Sequence, residues 1–210
     1  MVRPRSRVET YEDALLKAVQ DLQKLDPYKA GFSAGCDVVA AGEANRIAVR
    51  FFGEDYVVTH PQVSVRNTAG QEPDVSTRLI ILHYLIHAEG TSPADHWISF
   101  RELPDGLVYD PAFQRRSSQR LVQEYGTDVK GFVQACEALG GERLSFGDAS
   151  YMFRLLPRLR MAVILHYGDE EFPPAVKVLF DAAAGHYLPT EDLAVLGGIL
   201  ASKLIKAGNV

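Results

Sequence analysis

The stretch YMFRLLPRLRMAVILHY, residues 151–167, decides the fold. Its two apolar runs, 151–156 and 160–167, flank Pro157, which cannot continue a paired strand. The runs therefore predict two neighbouring strands. A third run, 175–180, follows a segment that holds Gly168, Pro173 and Pro174. Together the three runs predict an antiparallel three-stranded meander.

An earlier block of the sequence repeats this outline. Alternating apolar residues predict strands over 46–52 and 56–59 and a third short strand at 63–65. Apolar residues at three- and four-residue spacing predict helices around these strands, over 8–25, 75–88, 117–125, 128–139 and 190–207. The glycine-containing segment 26–45 is interpreted as a loop, and 96–110 as extended and partly irregular. We expect an α+β fold, mainly antiparallel sheet in two three-stranded meanders, with flanking helices.

Length and composition favour one globular unit. The chain has 210 residues, 47% of them hydrophobic and 23% charged, which excludes disordered and collagen-like classes. We expect a flexible N-terminal tail over 1–8 and a single compact α+β domain over 9–207. Two similar halves, 9–90 and 117–207, are the alternative, although no repeat is visible residue by residue.

The net charge and the cysteine content restrict the classes of partner, cofactor and compartment that we expect for this chain. The net charge of −5 disfavours a nucleic-acid binder that works by bulk charge. No apolar run is long enough to predict a membrane span or a secretory leader. Cys36 and Cys136 are far apart and form no C-x-x-C pair, so we expect no iron–sulfur cluster from this chain alone. Cysteines that are not paired in a disulfide suggest a reducing compartment, and we expect a cytoplasmic protein.

The segment DAAAGHYLPTED, residues 181–192, is the strongest candidate for a ligand site. Small residues let a ligand approach the backbone, and a polar cluster then precedes a predicted helix, whose first N–H groups attract anions. The candidate ligand-binding residues here are Asp181, His186, Tyr187, Glu191 and Asp192. A structural alternative is that Thr190 caps the helix and the acids complement its dipole, but this leaves His186 and Tyr187 unexplained.

Two histidines form a weaker candidate for a metal site. His83 and His87 lie four residues apart on a predicted helix, so that their side chains share a face and can offer two nitrogen ligands. The metalloprotease pattern needs Glu after the first histidine, and Tyr84 stands there instead. A structural role for the pair is the alternative.

Trp97 and Arg101 are a candidate platform for a flat ligand. Strand alternation would place both on one face, where an aromatic ring and a guanidinium can stack on a planar molecule. The alternative is a tryptophan at the edge of the core beside an Arg101–Glu102 pair. Residues 31–35 read G-x-S-x-G, but a nucleophile elbow needs a strand before the serine and a helix after it, so we interpret them as loop.

Four strings carry a resemblance to a known family. They are WISFRELP at 97–104, ALGG at 138–141, GDEEFP at 168–173 and HYLPTEDLA at 186–194. They resemble a prokaryotic family classed as domain of unknown function 3786, and the similarity covers about residues 10–206. The resemblance implies no catalytic residues. It implies a setting in anaerobes, in some cases near corrinoid or carbon monoxide metabolism, and some members carry a cysteine-rich iron–sulfur segment that this sequence does not contain.

Three functions remain open from the sequence, and whether the protein is an enzyme is one of the open points. The first is an accessory protein that binds a small molecule or cofactor, with a tetrapyrrole or corrinoid among the candidates and a histidine as its ligand. The second is a metal-assisted or acid–base enzyme that uses His186 and nearby carboxylates. The third is a protein-interaction subunit without a ligand site, for which the helix with Gly197 and Gly198 is a candidate contact.

Overall fold

The computed structural model describes residues 7–168 and 170–208. The helices are α1 (Arg7–Gln23), α2 (Pro27–Ala34), α3 (Val75–His87), α4 (Gly106–Arg116), α5 (Ser118–Tyr125), α6 (Val129–Ala138) and α7 (Thr190–Gly208). The strands are β1 (Asp37–Ala41), β2 (Ala44–Phe51), β3 (Glu54–His60), β4 (Ser64–Asn67), β5 (Trp97–Ser99), β6 (Glu142–Arg143), β7 (Ala149–Leu156), β8 (Leu159–His166) and β9 (Ala175–Asp181). Short 3₁₀ helices lie at Phe100–Glu102 and Ala184–His186. No helix in the described ranges is both long and apolar enough to cross a bilayer.

The α+β class is confirmed, but the two three-stranded meanders are wrong. One sheet has four strands in the order β1-β2-β3-β4, and the other has five in the order β5-β9-β8-β7-β6. The predicted strands are present as β2 to β4 and β7 to β9. The sheets are larger because β1 joins the first, while β5 and the two-residue β6 join the edges of the second. Short edge strands leave little periodicity in a sequence, so they escape prediction.

The predicted loop over 26–45 is wrong, because it contains α2 and β1. Asp26 caps α2 by accepting a hydrogen bond from the Lys29 N–H at 2.9 Å, and Pro27 occupies the first helical turn, where proline is favoured. Gly35 ends the helix in the left-handed conformation, with φ 68°. The glycine and proline signals therefore mark the ends of elements.

The irregular structure predicted over 96–110 is also partly wrong, since α4 begins at Gly106. A Cβ at Gly106 would lie 1.9 Å from the Phe100 carbonyl oxygen, so the glycine serves a close approach of two backbone segments. The helix buries Phe113, which stacks on Phe100 with ring centroids 4.3 Å apart. Its first turn exposes Leu107, Val108 and Tyr109, which hides the helical apolar stripe.

The chain divides into two compact units with interleaved segments. Unit 1 comprises the described part of Met1–Ser92 with Leu156–Arg158 and His186–Leu188. Unit 2 comprises Pro93–Leu155, Leu159–Gly185 and the described part of Pro189–Val210. Residues 1–6 of the predicted tail lie outside the described residues, and α1 begins at Arg7. The single domain over 9–207 and the duplication of two halves stay predictions.

Each unit has its own core. In unit 1 the apolar helix α3 buries Ile80, Ile81 and Leu82. Asp74 caps α3 by accepting hydrogen bonds from the N–H groups of Ser76 and Thr77. In unit 2 the strands β7 and β8 are buried almost throughout. Both sheets therefore hold their short segments and loops on a rigid base.

Candidate functional site

The candidate site lies in unit 1 and consists of His186 and Glu89. The His186 Nδ1 atom lies 2.6 Å from a Glu89 carboxylate oxygen. The imidazole side chain is 50% exposed and the carboxylate 63%, so both face solvent. An ionised carboxylate only accepts hydrogen bonds, so Nδ1 is the donor. In the tautomer with its single proton on Nδ1, the Nε2 atom keeps its lone pair.

Two hydrogen bonds hold the backbone segments that carry this pair together. The Glu89 N–H donates to the His186 carbonyl at 3.1 Å, and the Tyr187 hydroxyl donates to the Thr91 carbonyl. The Tyr187 side chain is buried and its ring lies 5.7 Å from that of Tyr84, measured between centroids. The short segments 89–91 and 186–187 are therefore held side by side, and the imidazole stands on a fixed backbone.

Arg158 supports the same segment from a second direction. Its Nη1 atom donates to the Gly90 carbonyl at 2.9 Å, and its backbone N–H donates to the Tyr84 hydroxyl at 3.0 Å. That hydroxyl donates to the Ala34 carbonyl at 2.6 Å, at the end of α2. Burial raises the pKa of Tyr84 well above its usual value, so the hydroxyl stays protonated and keeps this bond.

The arrangement gives His186 one chemical capability. A carboxylate that accepts from one ring nitrogen orients the imidazole, which is the usual support of a histidine that ligates a metal. The Nε2 atom can bind a metal or accept a proton. Among residues 7–168 and 170–208, no group of three or more His, Cys, Asp and Glu side chains is placed to hold a metal ion.

Asp181, which belongs to unit 2, is held in a buried structural network. Its carboxylate accepts hydrogen bonds from the N–H groups of Ala94, Asp95 and Ala183, at 2.8 to 3.1 Å, and from Arg160 at 2.5 Å. Burial alone would raise the pKa of Asp181, but these N–H groups and the guanidinium together hold it below its usual value. The carboxylate is thus ionised and fully engaged.

Trp97 and Arg101 have different partners. Trp97 pairs with Asp181 in the β5–β9 ladder, and the guanidinium over its ring is that of Arg160, 5.9 Å from the centroid. Arg101 lies in the 3₁₀ helix after β5, with its Nε atom 3.7 Å from a carboxylate oxygen of Asp110. The expected strand alternation through Arg101 is wrong because the strand ends at Ser99.

The remaining candidates lie on helices. Glu191 is exposed and Asp192 buried in the first turn of α7, as expected for residues that complement a helix dipole. His83 and His87 share a face of α3, with their ring centroids 5.7 Å apart. The candidates of segment 181–192 are divided between the two units. His186 and Tyr187 belong to unit 1, whereas Asp181, Glu191 and Asp192 belong to unit 2.

The sequence analysis nominated His186 as a candidate but did not identify Glu89 as its hydrogen-bond partner. Glu89 lies 97 positions away, at an ordinary helix exit, and nothing local marks it. Arg160 was missed as well, although a lone charge in the apolar run LRMAVILH was a usable signal. A charged residue inside a strand that is otherwise buried needs a partner in the fold, and Asp181 is that partner.

Comparison with known proteins places the chain in one family. Neither the curated proteins nor the solved structures contain a match to it. A family model does match, over residues 26–203, which covers most of both units and includes Glu89, Arg158 and His186. The chain therefore belongs to the family described as domain of unknown function DUF3786.

Proposed function

We propose that this protein binds a planar, metal-containing cofactor of the tetrapyrrole or corrinoid class, with the His186 Nε2 atom as an axial ligand. The observation that carries the proposal is the 2.6 Å contact between His186 Nδ1 and the Glu89 carboxylate. It orients the ring and leaves the second ring nitrogen without a hydrogen-bond partner among the described residues.

The number of nitrogens supports this class of ligand. A metal that is already held in a macrocycle needs an axial ligand from the protein, and a single imidazole supplies one. A free ion in a structural site takes most of its ligands from the protein. His186 with its carboxylate therefore suits a metal that brings its other ligands with it. Half of the imidazole is exposed, so a flat molecule can reach the nitrogen.

The family context supports the same setting. The resemblance described above implies a prokaryotic, anaerobic host and, for some members, an association with corrinoid or one-carbon metabolism. We propose on that basis a cytoplasmic accessory protein that holds such a cofactor.

A titration with two defined cofactors tests the proposal. Diaquacobinamide and haemin are added separately to the protein, and the visible absorption spectrum is recorded. Replacement of a metal-bound water by an imidazole nitrogen shifts the bands, and we expect a saturable shift for one of the two. His186→Ala is expected to abolish the shift. Glu89→Gln is expected to weaken binding by about 10- to 100-fold, the usual effect of losing such a supporting carboxylate.

His96→Ala is the matched control, because His96 is an exposed histidine of unit 2. It should bind like the wild type. Equal loss in His96→Ala and His186→Ala would indicate non-specific histidine binding and contradict the proposal. Absence of any spectral shift with both cofactors would contradict it as well.

A further inference from the structure

The second sheet leaves part of one strand edge open, within unit 2. On its outer side β9 pairs with β5 through three residues only, and the last pair is Ser99 with Leu179. The chain then leaves the sheet through the 3₁₀ helix at Phe100–Glu102. The first half of β9 therefore extends beyond the end of β5.

The register shows which backbone groups face this open side. The Ala182 N–H donates to the His96 carbonyl at 2.8 Å, one position beyond the pair Trp97–Asp181. Backbone groups alternate in direction along a strand, so Ala182 and Val176, six residues apart, point to the same side. The N–H and C=O of Val176 thus point away from β8. Proline at 174, also on this side, has no N–H to leave unpaired there.

Val176 lines a cavity. Val176 is only 6% exposed, and no residue in the described ranges bonds its outward N–H or C=O. Buried backbone groups without a partner are costly, so a site that supplies a partner is favoured. The cavity has a volume of about 360 Å³, and its lining is Gln114, Ser118, Gln119, Val122, Gln123, Pro174, Ala175 and Val176.

The opposite wall of the cavity is the helix α5. Ser118 and Val122 form its buried and half-buried part, and Gln119 and Gln123 are exposed at its rim. Neither of these glutamines has a hydrogen-bond partner among the described residues. A groove between an open strand edge and a neighbouring helix fits an extended peptide, whose backbone pairs with the strand while its side chains meet the helix.

We propose that this groove binds an extended peptide segment of a partner protein as an added strand on β9. Val176 supplies the backbone hydrogen bonds, Val122 contacts an apolar side chain, and Gln119 and Gln123 bond the peptide's polar groups. Lys177 follows on the exposed face of β9 and has no ion-pair partner in the described structure. An opposite charge across the ladder is favourable, so the peptide carries an acidic residue there.

A peptide selection tests the proposal directly. Random heptapeptides displayed on phage are selected against the immobilised full chain, and the best binder is synthesised with a fluorophore. We expect an enriched Asp or Glu, and binding that slows hydrogen exchange of the Val176 amide. Gln119→Trp fills the groove and should weaken binding by about tenfold or more. Lys177→Glu should weaken it too.

Two matched variants serve as controls. Gln134→Trp places the same ring on an exposed position of α6, and Lys206→Glu makes the same charge change on α7. Both should bind the peptide like the wild type. Failure of the selection to yield a binder overturns the proposal. So does a selected peptide that is insensitive to Gln119→Trp or leaves the exchange of Val176 unchanged, because that peptide binds elsewhere.

Discussion

Asp181 and His186, two candidate residues of segment 181–192, differ in their surroundings. The Asp181 carboxylate is 2% exposed and accepts four hydrogen bonds, whereas the His186 ring is half exposed and accepts none at Nε2 in the described contacts. A saturated buried carboxylate stabilises a fold, and an oriented, accessible imidazole is available for a ligand. We therefore assign a structural role to Asp181, and His186 is the residue of this segment that we propose binds a ligand.

The role of Asp181 predicts a large loss of stability in Asp181→Asn. The variant leaves Arg160, itself mostly buried, without its buried charged partner, and such losses cost about 3–5 kcal/mol. Urea unfolding followed by circular dichroism measures this change. Asp95→Asn is the control, since Asp95 bonds the same guanidinium with a side chain that is 81% exposed, and it should cost less than about 1 kcal/mol. Equal effects of the two variants would show that the buried network does not matter.

The stability difference between the wild type and Asp181→Asn is also expected to depend on pH. The pKa of Asp181 is lower in the folded protein than the ordinary value of 3.8, so its ionisation stabilises the fold above that value. The stabilisation is lost as the pH falls through the lower, folded pKa. The difference in unfolding free energy between wild type and Asp181→Asn should thus be constant from pH 7 to 5 and shrink below pH 4. A difference that grows on acidification would contradict this sign.

At the residue scale the sequence could nominate His186, but it could not show its environment. The carboxylate that orients it comes from Glu89, and the backbone bonds that fix it come from Thr91 and Tyr187. Contacts between segments that lie nearly 100 positions apart depend on the fold, and no local pattern contains them.

Two adjacent glycines of α7, Gly197 and Gly198, have different surroundings. A Cβ on Gly197 would lie 2.3 Å from the Phe113 ring, whereas a Cβ on Gly198 would lie 3.7 Å from its nearest neighbour, an ordinary contact. Phe113 is buried and stacked on Phe100, so it cannot move aside cheaply. Gly197 therefore permits close packing, and Gly198 costs the helix stability without that benefit.

Alanine at the two positions should have opposite effects. Gly197→Ala is expected to destabilise the protein by about 1–3 kcal/mol through overpacking. Gly198→Ala is expected to stabilise it by up to about 1 kcal/mol, since alanine is the better helix former. Thermal unfolding of both variants measures the difference. Stabilisation by both would show that α7 does not pack against Phe113 as described.

At the element scale, helices with a regular apolar period could be predicted from the sequence, and helices that begin at proline or glycine could not. The helices α3, α5, α6 and α7 begin and end within two residues of the predicted positions. The missed helices α2 and α4 begin at Pro27 and Gly106, residues that the pattern assigned to a break and a turn. In both cases the residue fits the first turn of a helix. Proline is tolerated there because the N–H that it lacks would have no partner within the helix, and glycine allows another segment to approach closely.

The two compact units provide a test of cooperativity in the whole molecule. Their segments alternate along the chain, so neither unit is one continuous piece of sequence. Cys36 lies in unit 1 and Cys136 in unit 2, and neither is in a disulfide. Burial, with a smaller contribution from the Asp37 carboxylate, raises the pKa of Cys36 to about 12, and burial also raises the pKa of Cys136. We therefore expect both thiols to stay protonated and to react slowly in the folded state.

Alkylation as a function of urea follows the two thiols separately. We expect both cysteines to become reactive over the same range of urea. The segments of the two units alternate along the chain, so the unfolding of one unit is expected to disrupt the other as well. Iodoacetamide labelling followed by peptide mass spectrometry gives the midpoint for each. Cys36 reacting at clearly lower urea than Cys136 would instead show that unit 1 unfolds by itself.

The proposed function depends on whether the His186 Nε2 atom binds a metal. The most direct measurement is the electron paramagnetic resonance spectrum of cob(II)inamide with the protein, because an axial nitrogen splits each cobalt line into three. We predict this splitting for the wild type and for His96→Ala, and its loss in His186→Ala. A spectrum that shows no nitrogen splitting, or one that keeps it in His186→Ala, would contradict the assignment of His186 as the ligand of a corrinoid.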